Sequence, residues 1–585
     1  MRRIVLALAL GLSACTGAIA AGRPNIVVLV ADDWGFSDVG SFGGEIATPQ
    51  IDALAREGMR FSNFHVAASC APTRSMLLTG VDNHLNGVGN LMETMPAEHL
   101  GKPGYLGSLN TRVVTVSTLL KDNGYRTYIA GKWNVGTEAY NLPNQRGFDR
   151  SLIQGDTGSD NWEPSQRYLP HTDKVHWFED GREPVMPTVY YSSEYFVDKM
   201  IGYLRSGASS AQPFFSYIGF QANHVPLQAP RSFIDKYRGR YDKGWSVLRE
   251  ERRSKAAELG LIPKDTAMVT MKSTADWAQL SAKDKRYEAR RMEVYAAMAD
   301  AMDFHVGRFI AYLKQTGQYD NTVFVFLSDN GPEASDYDDA QPWLWTQYTQ
   351  DIDKLGDKGA FSIMGAGWAS AAGSPLSGYK FYAGEGGIRT PMIISGVPGM
   401  QKSQVYQGLT HVTDIVPTLL DLAQVAQPGS RYGGKPIEPL AGHSLMPVLM
   451  DAQQHAHAAD EAIGYELSGS KALFKGDLKL VNNLQPVGDG SWHLYDLRTD
   501  PGETRDLQQQ LPQAFSALQS DYKAWSQSHG VLDLPEGYSP VRQVLINSFF
   551  HYWYPYYKFK VLALLGCLLA VVAAFARLRR RSRPA

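Results

Sequence analysis

Cys70 stands out among the residues that could do chemistry, because it is the only cysteine in the bulk of the chain. The other two, Cys15 and Cys567, lie in apolar stretches near the two termini. A lone cysteine has no intramolecular disulfide partner, so packing or chemistry must account for it. It stands in the string SCAPTRSMLLTG, with a proline two places and an arginine four places further on. These neighbours favour chemistry.

Hard oxygen ligands follow two aliphatic runs, Asn25–Val30 and Thr322–Leu327. Both runs have the pattern of buried parallel strands, and open α/β sheets place their ligands at the carboxyl ends of such strands. The four candidate ligands are Asp32, Asp33, Asp329 and Asn330. Their oxygens suit Ca²⁺ or Mg²⁺ and not zinc or copper. Two adjacent aspartates after one strand could equally serve to cap a helix. Four oxygen ligands at the strand ends of one sheet, however, predict a metal site.

Four further side chains are suited to gripping a tetrahedral oxyanion. They are Arg74, Lys132, His224 and Lys380. Pro72 indicates a helix start, which would put Cys70 at a helix N-terminus where the dipole favours negative charge. A solvated Lys132 and a hydrogen-bonded loop role for His224 are the structural alternatives. Their occurrence together with the cysteine string favours a reactive site.

Strands alternate with helices over most of the chain, which predicts a mostly parallel α/β sheet with helices on both faces. We expect helices over Thr48–Gly58, with Thr48 as its cap, and over Met292–Thr316. The stretch from Lys236 to Arg291 is charged and rich in helix formers, and we interpret it as a solvated helical insertion.

After about Val425, short alternating segments separated by turns predict a small antiparallel sheet. Its strands are expected at Ala462–Leu467, Ala472–Phe474, Leu478–Asn482 and His493–Leu497, followed by a helix over Pro512–His529. The predicted organisation is a signal peptide (1–21), a catalytic domain (22–425), a small α+β domain (426–540) and a membrane segment (541–585).

The N-terminus, MRRIVLALALGLSACTGAIAAGRP, has the pattern of a secretory signal. Cleavage after Ala20 or Ala21 and lipidation of Cys15 in a lipobox are the two alternatives. Near the other end, the uncharged run Val561–Ala576 follows an aromatic belt and precedes an arginine-rich tail. This predicts a single transmembrane helix with the tail in the cytoplasm, against the alternative of an amphipathic surface helix. The catalytic domain is therefore expected outside the cytoplasm, on the periplasmic side.

The net charge of -2 gives no signature of a polyanion-binding protein, so no nucleic-acid partner is predicted. With these residues in view, the chain resembles the type I sulfatases, and most closely the bacterial arylsulfatases, along nearly all of its length. The matching stretches are RPNIVVLVADDWGFSDVG, ATPQIDALAREGMRFSNFH, CAPTRSMLLTG, GYRTYIAGKW, ANHVPLQAP, FLSDNG, GYKFYAGEGGIRTP and WHLYDLRTDPGETRDL.

This resemblance implies an alkaline-phosphatase-like fold and the hydrolysis of aryl or other organic sulfate esters. It also implies that a formylglycine-generating enzyme converts Cys70 to formylglycine, which binds Ca²⁺, or alternatively Mg²⁺, together with Asp32, Asp33, Asp329 and Asn330. Arg74 would steady the aldehyde hydrate, Lys132 and Lys380 would grip sulfate, and His224 would protonate the leaving group. One hydroxyl of the hydrate would attack sulfur, and the other would let the aldehyde reform and expel sulfate.

The chain departs from the family at Asn134, where the string GKWHxG normally has a histidine. That histidine is thought to take the proton during sulfate expulsion, which an asparagine cannot do. His65 and His84 are candidate substitutes. A smaller departure is Ala71, where Ser or Thr is usual. Two other functions remain open: phosphonate or phosphate ester hydrolysis by the same residues, and a decayed, membrane-anchored binding protein.

Overall fold

The computed structural model describes residues 22–168, 174–335, 344–451 and 455–581. The predicted signal peptide, with Cys15, lies outside the described residues. Two hydrophobic cores flank a large central sheet, one on each face.

The central sheet has nine strands. In order across the sheet they are Gln404–Tyr406, Gly58–Phe61, Met392–Ser395, Thr322–Ser328, Asn25–Ala31, Phe214–Gly219, Arg126–Lys132, Arg150–Gln154 and Trp177–Glu179. The run from Thr322–Ser328 to Arg150–Gln154 is parallel, whereas Met392–Ser395 and Trp177–Glu179 pair antiparallel with their neighbours. The predicted mostly parallel α/β sheet is confirmed.

The central strands are continuous aliphatic runs because they are covered on both faces. Asn25–Ala31 and Thr322–Ser328 are adjacent and buried along their whole length. Their shared register brings the two carboxyl ends to the same edge of the sheet, since Ala31 pairs with Ser328. The polar residues that follow each strand are therefore neighbours in space.

Helices cover both faces of the sheet. Over the whole described chain, the helices of eight or more residues are Pro49–Glu57, Cys70–Thr79, Ser192–Ser206, Trp245–Glu258, Ala282–Gln315, Gly365–Ala372, Ile415–Leu422, Pro512–Ser528, Pro540–Asn547 and Tyr554–Arg581. Shorter helices are Asn83–Asn86, Val116–Asp122, Arg231–Ile234, Leu344–Gln347, Glu385–Ile388 and Met446–Leu449.

Thr48 takes the predicted N-cap position of the helix Pro49–Glu57, but its side chain does not cap that helix. The Thr48 hydroxyl accepts a hydrogen bond from the Gly40 amide. The Asp303 carboxylate instead accepts from the first amides of that helix, at Gln50 and Ile51.

The long helix also begins earlier than predicted, at Ala282, where the Ser281 side chain accepts from the Asp284 amide. The preceding segment is not uniformly solvated, because Arg249 and Arg252 of the helix Trp245–Glu258 are buried. Arg252 pairs there with the buried Asp38 at 2.6 Å.

The small antiparallel sheet is present as predicted, with four strands and one helix, Pro512–Ser528, against it. Its strands are Ala462–Leu467, Ser470–Lys475, Leu478–Asn482 and Trp492–Asp496. The small sheet contacts the segment that precedes Cys70, because the Tyr465 hydroxyl accepts a hydrogen bond from the Ala68 amide at 3.1 Å.

The C-terminal helix Tyr554–Arg581 contains an apolar stretch long enough to cross a membrane. This stretch, Tyr557–Arg577, has a mean hydropathy of 2.5, and none of it is buried among the described residues. It is a candidate membrane span at the place where the sequence predicts one.

Candidate active site

Cys70 is the first residue of the helix Cys70–Thr79, which begins at the carboxyl edge of the central sheet. Its thiol lies 3.4 Å from Asp32 Oδ1 and is almost completely buried. Arg74 follows one turn later on the same helix, where its guanidinium meets Asp329 at 2.7 and 2.8 Å. The predicted helix N-terminus at Cys70 and the position of Arg74 one turn on agree with the structure.

The predicted oxygen ligands gather around this thiol. Ligand atoms of Asp32, Asp33, Asp329 and Cys70 all lie within 4.8 Å of one another. Asn330 is the fourth predicted oxygen ligand, and its amide nitrogen donates to Asp33 Oδ1 at 2.6 Å. All five residues are buried.

The donor set fits a hard divalent cation. The Asn330 amide nitrogen uses its hydrogens on Asp33 and on the Gly331 carbonyl. In the described part of the chain its Oδ1 atom is buried without a hydrogen-bond partner. A buried polar atom left unpaired is costly, and a cation bound to this oxygen would remove that cost. Three carboxylates and an amide oxygen are ligands that Ca²⁺ or Mg²⁺ prefers.

Two buried lysines border the carboxylates. Lys132 Nζ lies 2.6 Å from Asp32 Oδ2, and Lys380 Nζ lies 2.8 Å from Asp33 Oδ1. Glu333 approaches Lys380 at 3.4 Å and was not found from the sequence. The sequence could have pointed to Glu333, because it lies four residues after Asp329 in the loop that follows the same strand.

His224 completes the cluster. Its Nδ1–H donates to the Val225 carbonyl at 2.9 Å, so Nε2 is the atom that points towards Asp33, 4.0 Å away. A carbonyl only accepts, which fixes the tautomer of the neutral ring. Nε2 is therefore the nitrogen available to a ligand.

The electrostatics of the cluster follow from burial and from its mixture of charges. Burial alone would raise the pKa of Asp33, but Lys380, His224 and Lys132 outweigh it and lower that pKa to about 2. Burial together with the Asp32 carboxylate raises the pKa of Asp329 to about 6. The same two causes raise the pKa of the Cys70 thiol well above its ordinary value. Burial and the two lysines hold the pKa of His224 well below its ordinary range.

Asn134 directly follows Trp133 and adopts a left-handed backbone conformation with φ of 55°. Asparagine and histidine both tolerate this conformation better than most residues. The two histidines that the sequence offers as substitutes for the expected one make contacts with other carboxylates. His65 contacts Glu385 at 3.0 Å, and His84 bridges Asp82 and Glu466.

A buried nucleophile candidate beside hard oxygen ligands and lysines, at the carboxyl edge of an α/β sheet, is typical of an ester hydrolase for anionic substrates. Comparison with known proteins gives the family. Residues 24–425 match the family model described as Sulfatase. An arylsulfatase of Klebsiella aerogenes is 35% identical over 453 residues, covering 76% of this chain and 96% of the relative.

An uncharacterized sulfatase of Schizosaccharomyces pombe is 38% identical over 532 residues, covering 88% of this chain and 96% of the relative. The solved structure of Ps i-CgsB in complex with k-i-k-neocarrahexaose has the same fold, with a TM-score of 0.61 and 22% identity. That match covers 86% of this chain and 93% of the solved one. The chain belongs to the sulfatase family and is a sulfuric ester hydrolase.

Proposed function

We propose that the protein hydrolyses aryl sulfate esters with Cys70, after its conversion to formylglycine, as the nucleophilic position. The observation that carries this proposal is the burial of Cys70 within 4.8 Å of three carboxylates, beside both lysines. The similarity to the Klebsiella arylsulfatase supports the aryl substrate. Conversion requires a formylglycine-generating enzyme as a partner of the chain.

Asp32, Asp33, Asp329 and Asn330 would hold Ca²⁺, with Mg²⁺ as the alternative. When bound, the cation would supply positive charge that acidifies the nucleophilic hydroxyl and stabilises negative charge on the substrate. Without it, four carboxylates (Asp32, Asp33, Asp329 and the Glu333 that contacts Lys380) face three basic groups, Arg74, Lys132 and Lys380, for a net charge of about -1. A divalent cation leaves a net positive site, which favours an anionic sulfate ester.

The chain's own side chains would then bind and orient the ester. Lys132 and Lys380 would contact the sulfate oxygens, and Arg74 would hold Asp329 and the nucleophilic position in place. His224 is neutral in the free protein because burial and both lysines disfavour its charged form. The negative charge of a bound sulfate ester offsets part of the positive charge of the lysines and the cation, which favours the protonated form of His224, and Nε2 would give that proton to the leaving oxygen.

The test is release of phenol and inorganic sulfate from an aryl sulfate by protein co-expressed with a formylglycine-generating enzyme. Mass analysis of the Cys70 peptide must first show formylglycine. Cys70→Ala should then lose activity by at least about 10³-fold, as expected for a nucleophile. The matched control is Cys567→Ala, because Cys567 is exposed on the C-terminal helix and far from the site in sequence.

Two other results would contradict the proposal. Faster turnover of a phosphodiester or phosphonate ester than of any sulfate ester would show that the substrates are phosphorus esters and not sulfate esters. The second result is calcium binding by protein with verified formylglycine that turns over no ester. It would indicate a binding protein, which is the alternative function that Asn134 favours.

A further inference from the structure

A second cluster of potential metal ligands lies outside the active site, in the segment that leads into the small antiparallel sheet. Ligand atoms of His443, His457 and Glu461 all lie within 4.8 Å of one another. His443 Nε2 is 3.0 Å from Glu461 Oε1, and His457 Nδ1 is 3.1 Å from the same oxygen. The two imidazole rings have centroids 5.0 Å apart.

Asp414 contacts both histidines of this cluster from the buried side. Its carboxylate is fully buried and accepts from His457 Nε2 at 2.9 Å and from the His443 backbone amide at 2.9 Å. His457 Nε2–H donates a hydrogen bond to Asp414, and the other ring nitrogen of His457, Nδ1, faces Glu461. Histidine ligands of metals characteristically donate their second ring N–H to a carboxylate in this way.

The Glu461 carboxylate is also held in place. The Ala458 amide donates to Glu461 Oε2 at 3.3 Å, and His443 Nε2 lies 3.1 Å from the same oxygen, while Oε1 contacts both imidazoles. His457 is almost fully buried, whereas about half of the His443 side chain is exposed. The three ligand atoms therefore converge on one point that is supported on the protein side and open on the solvent side.

We propose that His443, His457 and Glu461 form a zinc site, with water in the fourth position. Two imidazoles and one carboxylate are ligands of tetrahedral Zn²⁺, and imidazole does not suit Ca²⁺ or Mg²⁺. The site is thus chemically unlike the oxygen cluster at Cys70. It is a property of the protein beyond sulfate-ester hydrolysis and does not depend on that activity.

The position of the cluster indicates a stabilising role. Asp414 directly precedes the helix Ile415–Leu422, and Glu461 directly precedes the first strand of the small sheet, Ala462–Leu467. A bound ion would join three points of the segment that enters the small sheet, and Asp414 of the catalytic domain would hold two of them, His443 and His457, by hydrogen bonds. Ligands that bind only the folded state stabilise it by mass action, so zinc should raise the thermal midpoint.

The test uses the full, untagged chain in detergent, stripped with EDTA and then kept in excess Ca²⁺ to fill the oxygen site. Isothermal titration with ZnCl2 and elemental analysis should give one zinc per chain, with a raised thermal midpoint. His443→Asn should weaken zinc binding by more than about tenfold and abolish the thermal shift. The substitution is conservative because His443 is largely exposed.

His493→Asn is the matched control. His493 also lies between two carboxylates, at 2.7 Å from Asp506 and 3.1 Å from Asp489, but it has no second histidine beside it in the described residues. This variant should bind zinc as the parent does. Equal zinc binding by the parent and His443→Asn, or no zinc in the presence of Ca²⁺, would overturn the proposal and leave an ion-pair cluster. Neither readout involves sulfate release, so failure here is separate from failure of the proposed function.

Discussion

Asn134 stands where the resemblance to the type I sulfatases implies a histidine, and it supports a kinetic prediction. A residue that cannot accept a proton removes base catalysis, which is typically worth about 10²–10⁴-fold, from the step that releases sulfate. We therefore expect a burst of phenol on mixing with an aryl sulfate, followed by slow turnover. Asn134→His should abolish the burst and raise the steady-state rate, because histidine accepts the proton and tolerates a φ of 55°.

The measurement is stopped-flow release of phenol, with active sites counted from the formylglycine content. Asn134→Gln is the control, since it changes the size of the side chain without adding a base. A fast steady state with no burst in the parent, and no gain in Asn134→His, would contradict the prediction.

His84 supports a prediction about stability and pH. Burial opposes its charged form, but hydrogen bonds to Asp82 and Glu466 outweigh burial and raise its pKa to about 9. A raised pKa in the folded state stabilises the protein below the ordinary value of about 6.5 and loses that effect as pH rises through 9. The contribution is at most on the order of 3 kcal/mol.

Thermal midpoints of the parent should therefore fall between pH 6.5 and 9 more steeply than those of His84→Gln. The difference between the two proteins isolates His84, because all other titrating groups are shared. Parallel profiles across this window would show that His84 is not charged in the folded protein.

At the scale of elements, a buried lysine of the small sheet adds an ionic link to the active-site loops. Lys479 Nζ lies 2.7 Å from Glu385 and 2.7 Å from Glu503, with its side chain fully buried. Glu385 begins the short helix Glu385–Ile388, five residues after Lys380. Removing one partner of a buried ion pair leaves uncompensated charge and typically costs about 3–5 kcal/mol.

Lys479→Met should therefore lower the thermal midpoint strongly. Lys475→Met is the matched control on a neighbouring strand, because Lys475 pairs with Asp521 where both side chains are about one-third exposed. Such pairs contribute roughly 0–1 kcal/mol. Equal effects of the two substitutions would show that the Lys479 contacts do not join the two parts.

The elements that the sequence predicts best are those whose patterns are local. Asn25–Ala31 and Thr322–Ser328 are uniformly apolar, because helices cover both faces of the sheet. The strands Arg150–Gln154 and Trp177–Glu179 are short and mixed in polarity, so they gave no such signal. The first amides of the helix Pro49–Glu57 donate to Asp303, which lies on the helix Ala282–Gln315. No local sequence pattern could have revealed a cap that comes from a distant helix.

At the scale of the whole molecule, the sequence located the candidate site but not the contacts that support it. Cys70 and the aspartates belong to compact motifs whose strands bring them together. The contact of Glu333 with Lys380, and that of Lys479 with Glu385, joins residues separated in the chain by loops and turns. Their pairing depends on tertiary packing, which propensity and periodicity do not encode.

The C-terminal helix gives the last prediction, which concerns where the molecule resides. The uncharged run Val561–Ala576 lies within Tyr557–Arg577, and none of that candidate span is buried in the described protein, so the fold does not depend on covering it. Asn547, by contrast, donates to the backbone carbonyls of Met92, Glu93 and Met95.

A chain ending at Asn547 should therefore fold, keep its activity and move from the membrane fraction to the soluble fraction. Leu568→Arg in the full chain is a milder test, because an arginine at the centre of a span costs about 2.5–3.5 kcal/mol on insertion scales. Release of the full chain by alkaline carbonate would show that the helix does not span a membrane. A truncated chain that stays bound after that wash would place the anchor at the other end, as lipidation of Cys15 predicts.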